Sequence, residues 1–186
     1  GYLDALAGAR RDDASTERQV AVARNWEYQW ERIFPMDASH FELDGFFSAD
    51  LFWTFIPIPP EAVTGKTVYI SCGGRGREAY HVAKSAANRI IVNEIGSEIY
   101  SIKNVVPDAE RRLVLLRSDL CHHPLRDGVA DVTICDHALQ HVHDYRLGYR
   151  KLVAATKGGG LVGVCAYSRE NNVIMTNFIE PMKGIT

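Results

Sequence analysis

The sequence predicts an α/β fold, an open, mainly parallel sheet with helices on both faces. Three observations point there. From Lys66 onward, short β-rich runs alternate with helix-forming segments. Those runs are apolar nearly throughout rather than at every second residue, as in strands covered on both sides. The first run also flows straight into closely spaced glycines, VYISCGGRGREA (Val68–Ala79). Such a turn between strand and helix lets a ligand approach the backbone.

Two parts follow, an N-terminal helical and aromatic cap over residues 1–60 and an α/β core over 61–186. The stretch to about Asp13 carries no periodic pattern and is expected to be poorly ordered. Ser15-Thr16-Glu17 can start a helix, because a hydroxyl satisfies free N–H groups there. Val22, Trp26 and Trp30 then fall four apart, with Ile33 closing an apolar stripe that ends near Pro35. Phe41 to Pro60 is aromatic and proline-rich, an irregular cover or a short helix, and Pro57, Pro59 and Pro60 mark its boundary. Predicted strands are 66–71, 89–94, 112–117, 131–136 and 160–167, with helices at 77–87, 97–105 and 145–156. The link between the third and fourth strands reads as irregular.

Composition bounds the function. A chain of 186 residues with 46% hydrophobic content suits one domain with a real core. A net charge of −2 with no basic block argues against nucleic acid. No apolar run approaches the roughly 20 residues that a bilayer requires, so a soluble, cytoplasmic protein is the expectation. Cys72, Cys121, Cys135 and Cys165 lie far apart without a C-x-x-C pair, which argues against a disulfide framework.

The glycine turn has two readings. Gly74 to Ala79 satisfies G-x-G-x-x-A, and Glu94 follows at a strand end where a ribose-binding acid belongs. On that reading the ligand is NAD(P), with Arg75 and Arg77 available to a pyrophosphate. The other reading draws on four stretches in order. VYISCGGRG is followed by IIVNEIGS, then by RSDLCHHPLRDGVADVTICDHALQHV and KLVAATKGGGLVGV, with NWEYQWERI upstream. Together they resemble a class I S-adenosylmethionine-dependent methyltransferase of the small-molecule branch called type 11. The resemblance implies a Rossmann-like sheet, S-adenosylmethionine as cofactor and a small-molecule acceptor. It also implies cofactor contacts from Cys72, Gly73, Gly74, Gly76, Glu94, Asp119, Leu120 and Asp136. His141 falls where this family often has histidine and is the candidate general base. Tyr28 and Trp30 are expected to form a lid, and His137 to line the substrate side.

Two features depart from the family pattern. Ile70 stands where the first motif has an acid, and Cys72 where it has its first glycine. Cofactor binding is therefore expected to be weakened or rearranged, and a catalytically degenerate cofactor- or partner-binding domain is the alternative function. The antiparallel hairpin strands expected after the fifth strand are missing. The chain is then a fragment, or an open sheet edge invites a homodimer. Five histidines crowd residues 122–143, but their spacing matches no standard zinc set, and no metal is expected.

Overall fold

The computed structural model describes residues 2–5, 14–33 and 37–167. Six strands form one parallel sheet, β1 (Tyr2–Asp4), β2 (Thr67–Ser71), β3 (Arg89–Glu94), β4 (Leu113–Arg117), β5 (Ala130–Asp136) and β6 (Thr156–Cys165). Their order is β1-β4-β3-β2-β5-β6. From β2 the chain steps outward through β3 to β4, then returns to the other side of β2 as β5. This reversal opens a crevice at the carboxyl ends of β2, β3 and β5, which places ligands in such sheets. Ile70 pairs with Val92 on one side and Ile134 on the other, so those strand ends finish nearly level.

Alternate residues of the central strands feed two cores. Val68, Ile70, Ile90, Val92, Val132 and Ile134 pack on one face with α2 (Ala49–Phe55) and α3 (Arg77–Lys84). Tyr69, Ile91 and Cys135 pack on the other with Leu152 and Ala155 of α5 (Tyr145–Ala155). Helical cover on both faces removes any need for polar alternation, which is why the strands read as continuous apolar runs. Each fully buried Val or Ile contributes roughly 1.5–3 kcal/mol.

All five predicted strands are present, and three details differ from expectation. Tyr2–Asp4 forms an edge strand on β4, and the Ala5 N–H donates to Arg117 O at 2.9 Å. Residues this few carry no periodicity of their own; their partners lie about a hundred positions away. Segment 97–104 is a 3-10 helix with Ile99 and Ile102 buried three apart, and the single turn α4 (Ala109–Arg112) follows it. The glycines at 158–160 lie inside β6 as a bulge, where the register jumps from Ala130↔Thr156 to Val132↔Leu161. Among the described residues β6 is a sheet edge, and no helix is long and apolar enough to cross a membrane. The region beyond Tyr167, where the hairpin strands are expected, lies outside the described residues.

At the amino ends of the strands, Asp131 links three of them. Its Oδ2 accepts from the Thr67 N–H at 2.9 Å and its Oδ1 from Lys157 Nζ at 2.6 Å. Replacing Asp131 by Ala is expected to lower stability by about 1–2 kcal/mol, read from urea unfolding, with the fold retained.

Candidate active site

After β2 the chain makes a tight turn that uses left-handed backbone at Cys72 (φ 54°), Gly74 (φ 46°) and Gly76 (φ 94°). A side chain on Gly73 would lie 2.3 Å from Val92 Cγ1, so the turn sits directly on β3. Cys72 therefore adopts the conformation that a glycine would take most easily, at a cost of roughly 1–2 kcal/mol. Ile70, two residues earlier, is fully buried in the apolar core and offers nothing polar to the crevice.

The end of β3 is bound to this turn by Glu94. Its Oε2 accepts from the Gly74 N–H at 2.9 Å, and its Oε1 from the N–H groups of Ile95 at 2.7 Å and Gly96 at 3.0 Å. Burial pushes the Glu94 carboxyl up in pKa, against the opposing pull of these three donors. Beside it, Glu98 Oε2 is enclosed without a hydrogen-bond partner among the described residues. Burial first, and the charge of Glu94 second, push Glu98 up to about 8.

A helix lies across the crevice. α1 (Ala14–Tyr28) continues into a π-turn at Gln29–Ile33 and is latched at three points. Gln19 Nε2 donates to His141 O at 3.2 Å, while its Oε1 accepts from the His143 N–H at 2.8 Å. Glu27 Oε1 accepts from the Ser97 N–H at 2.5 Å, and Arg75 Nη1 donates to Trp30 O at 3.1 Å. Trp26 stacks on Trp30 at 6.2 Å and meets the His141 ring edge-on at 5.1 Å. Among the described residues the His141 Nε2 is buried without a partner, and burial lowers its pKa.

The opposite end is built around Asp136, which closes β5. Arg77 pairs with its Oδ2 and donates to Phe46 O at 3.0 Å. His137 Nδ1 lies 2.6 Å from Asp136 Oδ1, and its Nε2 lies 3.4 Å from Cys165 Sγ. Cys165 is there because it faces Asp136 in the β5–β6 register. Asp136, His137 and Cys165 bring potential ligand atoms within 4.8 Å of one another. Arg77 and His137 already engage both Asp136 oxygens, so the trio is a hydrogen-bonded relay beside a guanidinium, an unfavourable setting for a cation.

Together these parts enclose a cavity of about 210 Å³. Of the residues predicted from sequence, Cys72, Gly73, Gly74, Glu94 and Asp136 line it, as do Trp30, His137 and His141. Four others do not reach it. Gly76 backs onto Ile102 and Val105, and Tyr28 is 62% exposed. Asp119 caps the turn at Leu120–His122, accepting from the Cys121 N–H at 3.1 Å and meeting His122 Nδ1 at 2.7 Å, and Leu120 packs in the α5-side core. Gln19, Glu98, Phe46, Phe47 and Tyr167 line the wall without having been singled out by the sequence. Their positions depend on contacts across the fold that no local spacing reveals. Arg75 and Arg77, which a dinucleotide reading offers to a pyrophosphate, are engaged by Trp30 and Asp136.

Two expectations concern this framework. Gly73→Ala must displace Val92 and should cost about 1–3 kcal/mol in a denaturant melt. Because Glu98 binds its proton more tightly folded than unfolded, stability should fall as pH rises from about 4.5 toward about 8. The thermal midpoint of Glu98→Gln should therefore pull ahead of the unsubstituted protein across that window and match it in acid.

A family model described as a methyltransferase domain matches residues 68–164. The chain is 30% identical over 73 residues to a demethylmenaquinone methyltransferase of Mycolicibacterium gilvum (strain PYR-GCK), covering 39% of this chain and 32% of that one. It thus spans about a third of that relative. Phosphoethanolamine N-methyltransferase 1 of Haemonchus contortus, solved with phosphoethanolamine and S-adenosylhomocysteine, superposes with a TM-score of 0.61 at 16% identity, over 82% of this chain and 33% of that one. The [4+2]-cyclase SpnF superposes with a TM-score of 0.53 at 18% identity, over 62% and 43%. At these identities the two structures establish the shared fold.

Proposed function

The chain belongs to the methyltransferase domain family, and on that premise we propose that it methylates a small-molecule acceptor. The cofactor that goes with the family is S-adenosylmethionine. One observation carries the reading, the buried Glu94 carboxylate beside the glycine turn at the point where strand order reverses.

The residues present fit the nucleoside end of that cofactor. Glu94 spends three of its roughly four acceptor positions on backbone donors, which aims it and leaves capacity for a ribose hydroxyl. Glu98 brings a second carboxyl group with an oxygen that has no partner among the described residues, and Ile95 supplies apolar wall for a base. At the methionine end Ile70 contributes nothing polar, and Glu78 and Asp136 are the acids in the wall. Cys72 keeps the left-handed turn despite its side chain, so the altered motif preserves the backbone shape. This favours a working cofactor site over a degenerate one. The family match also replaces the NAD(P) reading.

When bound, the cofactor supplies an already activated methyl group, so the protein's tasks are alignment, water exclusion and proton removal. Glu94 fixes the sugar and thereby the direction in which the rest of the cofactor extends. The α1 lid, latched by Gln19, Glu27 and Arg75, closes the crevice against water. An oxygen or nitrogen acceptor must lose a proton, and His137 and His141 both stand in the wall to receive it.

Calorimetric titration with S-adenosylmethionine and S-adenosylhomocysteine tests the reading, and absence of binding at millimolar ligand ends it. Glu94→Ala should weaken binding about tenfold to a hundredfold, as loss of hydrogen bonds to a buried carboxylate implies. Unchanged affinity in a variant shown to be folded refutes the ribose assignment.

A further inference from the structure

His137 and His141 both line the cavity, but their surroundings differ in kind. His141 packs on Trp26 and has no acid beside it among the described residues. His137 is set as a base. Its Nδ1 lies 2.6 Å from Asp136 Oδ1, and the other oxygen of that fully enclosed carboxylate is held by Arg77. A carboxylate on Nδ1 takes the N–H there and leaves Nε2 as the proton acceptor. His137 itself has φ 49°, a left-handed conformation that costs a non-glycine residue roughly 1–2 kcal/mol and folds the ring back over its own neighbour. Its main chain is locked by the His137 N–H donating to Cys165 O at 2.8 Å.

The space around this imidazole is aromatic. Tyr167 lies 4.8 Å from the ring, Phe55 4.9 Å and Phe46 6.1 Å, centroid to centroid. Of these rings Phe46 and Tyr167 also line the cavity, and two aromatic walls beside a basic nitrogen suit a flat molecule with an acidic hydroxyl. We propose that His137, rather than His141, takes the proton from the acceptor, and that the acceptor is a planar phenol. This rests on the methyl-transfer reading above. The phenol oxygen passes its proton to Nε2 and forms the new bond to the methyl carbon. The carbon–sulfur bond breaks with its electron pair remaining on sulfur, and Asp136 balances the imidazolium. Nε2 faces the Cys165 thiol at 3.4 Å, a contact that the phenol hydroxyl replaces. The titratable and charged groups facing His137 are Asp136 from β5, Arg77 from α3 through that carboxylate, Cys165 from β6 and Tyr167 just beyond it.

The probe is p-nitrophenol, added to protein saturated with S-adenosylhomocysteine at a pH where the free phenol is largely protonated. A phenolate absorbance band should appear on binding, vanish in His137→Gln and persist in His141→Gln, with affinity for S-adenosylhomocysteine retained in both. No binding of S-adenosylhomocysteine overturns the cofactor reading and this proposal with it. Binding of S-adenosylhomocysteine with no phenolate band, or a band that survives His137→Gln, overturns the proposal alone. Imidazole nitrogen NMR of the unsubstituted protein supplies an independent check that needs no variant. Nε2 of His137 should resonate as an unprotonated nitrogen, and an Nε2–H tautomer sinks the assignment.

Discussion

The carboxylate of Glu94, gripped by the N–H groups of Gly74, Ile95 and Gly96, is the contact on which the crevice depends. Parallel strands end without closing on one another, and the loops beyond them have no ladder to follow. A single buried acid that takes donors from two of those loops gives the glycine turn and the end of β3 one shared geometry. Burial makes such an arrangement costly when incomplete, since a desolvated carboxylate without donors is far less stable than one with three. The turn therefore cannot wander without stranding the charge.

From that anchor the cavity acquires two unlike ends. Around Glu94 and Glu98 it is acidic and bounded by backbone, which suits the hydroxyls of a sugar. Around Asp136 and His137 it is aromatic, with a cation already installed as Arg77. The lid spans both and is held mainly by hydrogen bonds to main-chain atoms rather than by deep apolar burial. Each such bond contributes about 0.5–1.5 kcal/mol, a strength that keeps the helix seated yet leaves opening accessible. The likeness to a [4+2]-cyclase on the same fold is a reminder that the sheet positions chemistry without choosing it. Choice lies with the groups at the acceptor end.

The legibility of this protein in its sequence varied with the range of the interactions involved. Strands β2, β3 and β5 were readable because burial on both faces writes a continuous apolar run, whereas β6, a half-exposed edge among the described residues, showed only its apolar second half. Glu94 was readable because strand end and glycine turn are both local signals a fixed distance apart. Asp119 occupies a familiar place in the pattern, yet both of its oxygens serve the turn that it begins. Arg77 read as available to a pyrophosphate and is instead a buried partner of Asp136, some sixty positions away.

Local chemistry along the chain was enough to specify a parallel α/β sheet, the glycine turn after its leading core strand and the acid that faces it, because each follows from neighbours within a few turns of backbone. The lid latch through Gln19, the edge strand at Tyr2–Asp4, and the pairing of His137 with Asp136 and Cys165 arise from strand register and long-range packing. Residues such as Cys165 carry no mark of their partners until β6 is laid beside β5. Which of two nearby histidines has an acid behind it is a question of three-dimensional position, and spacing in the chain is silent on it.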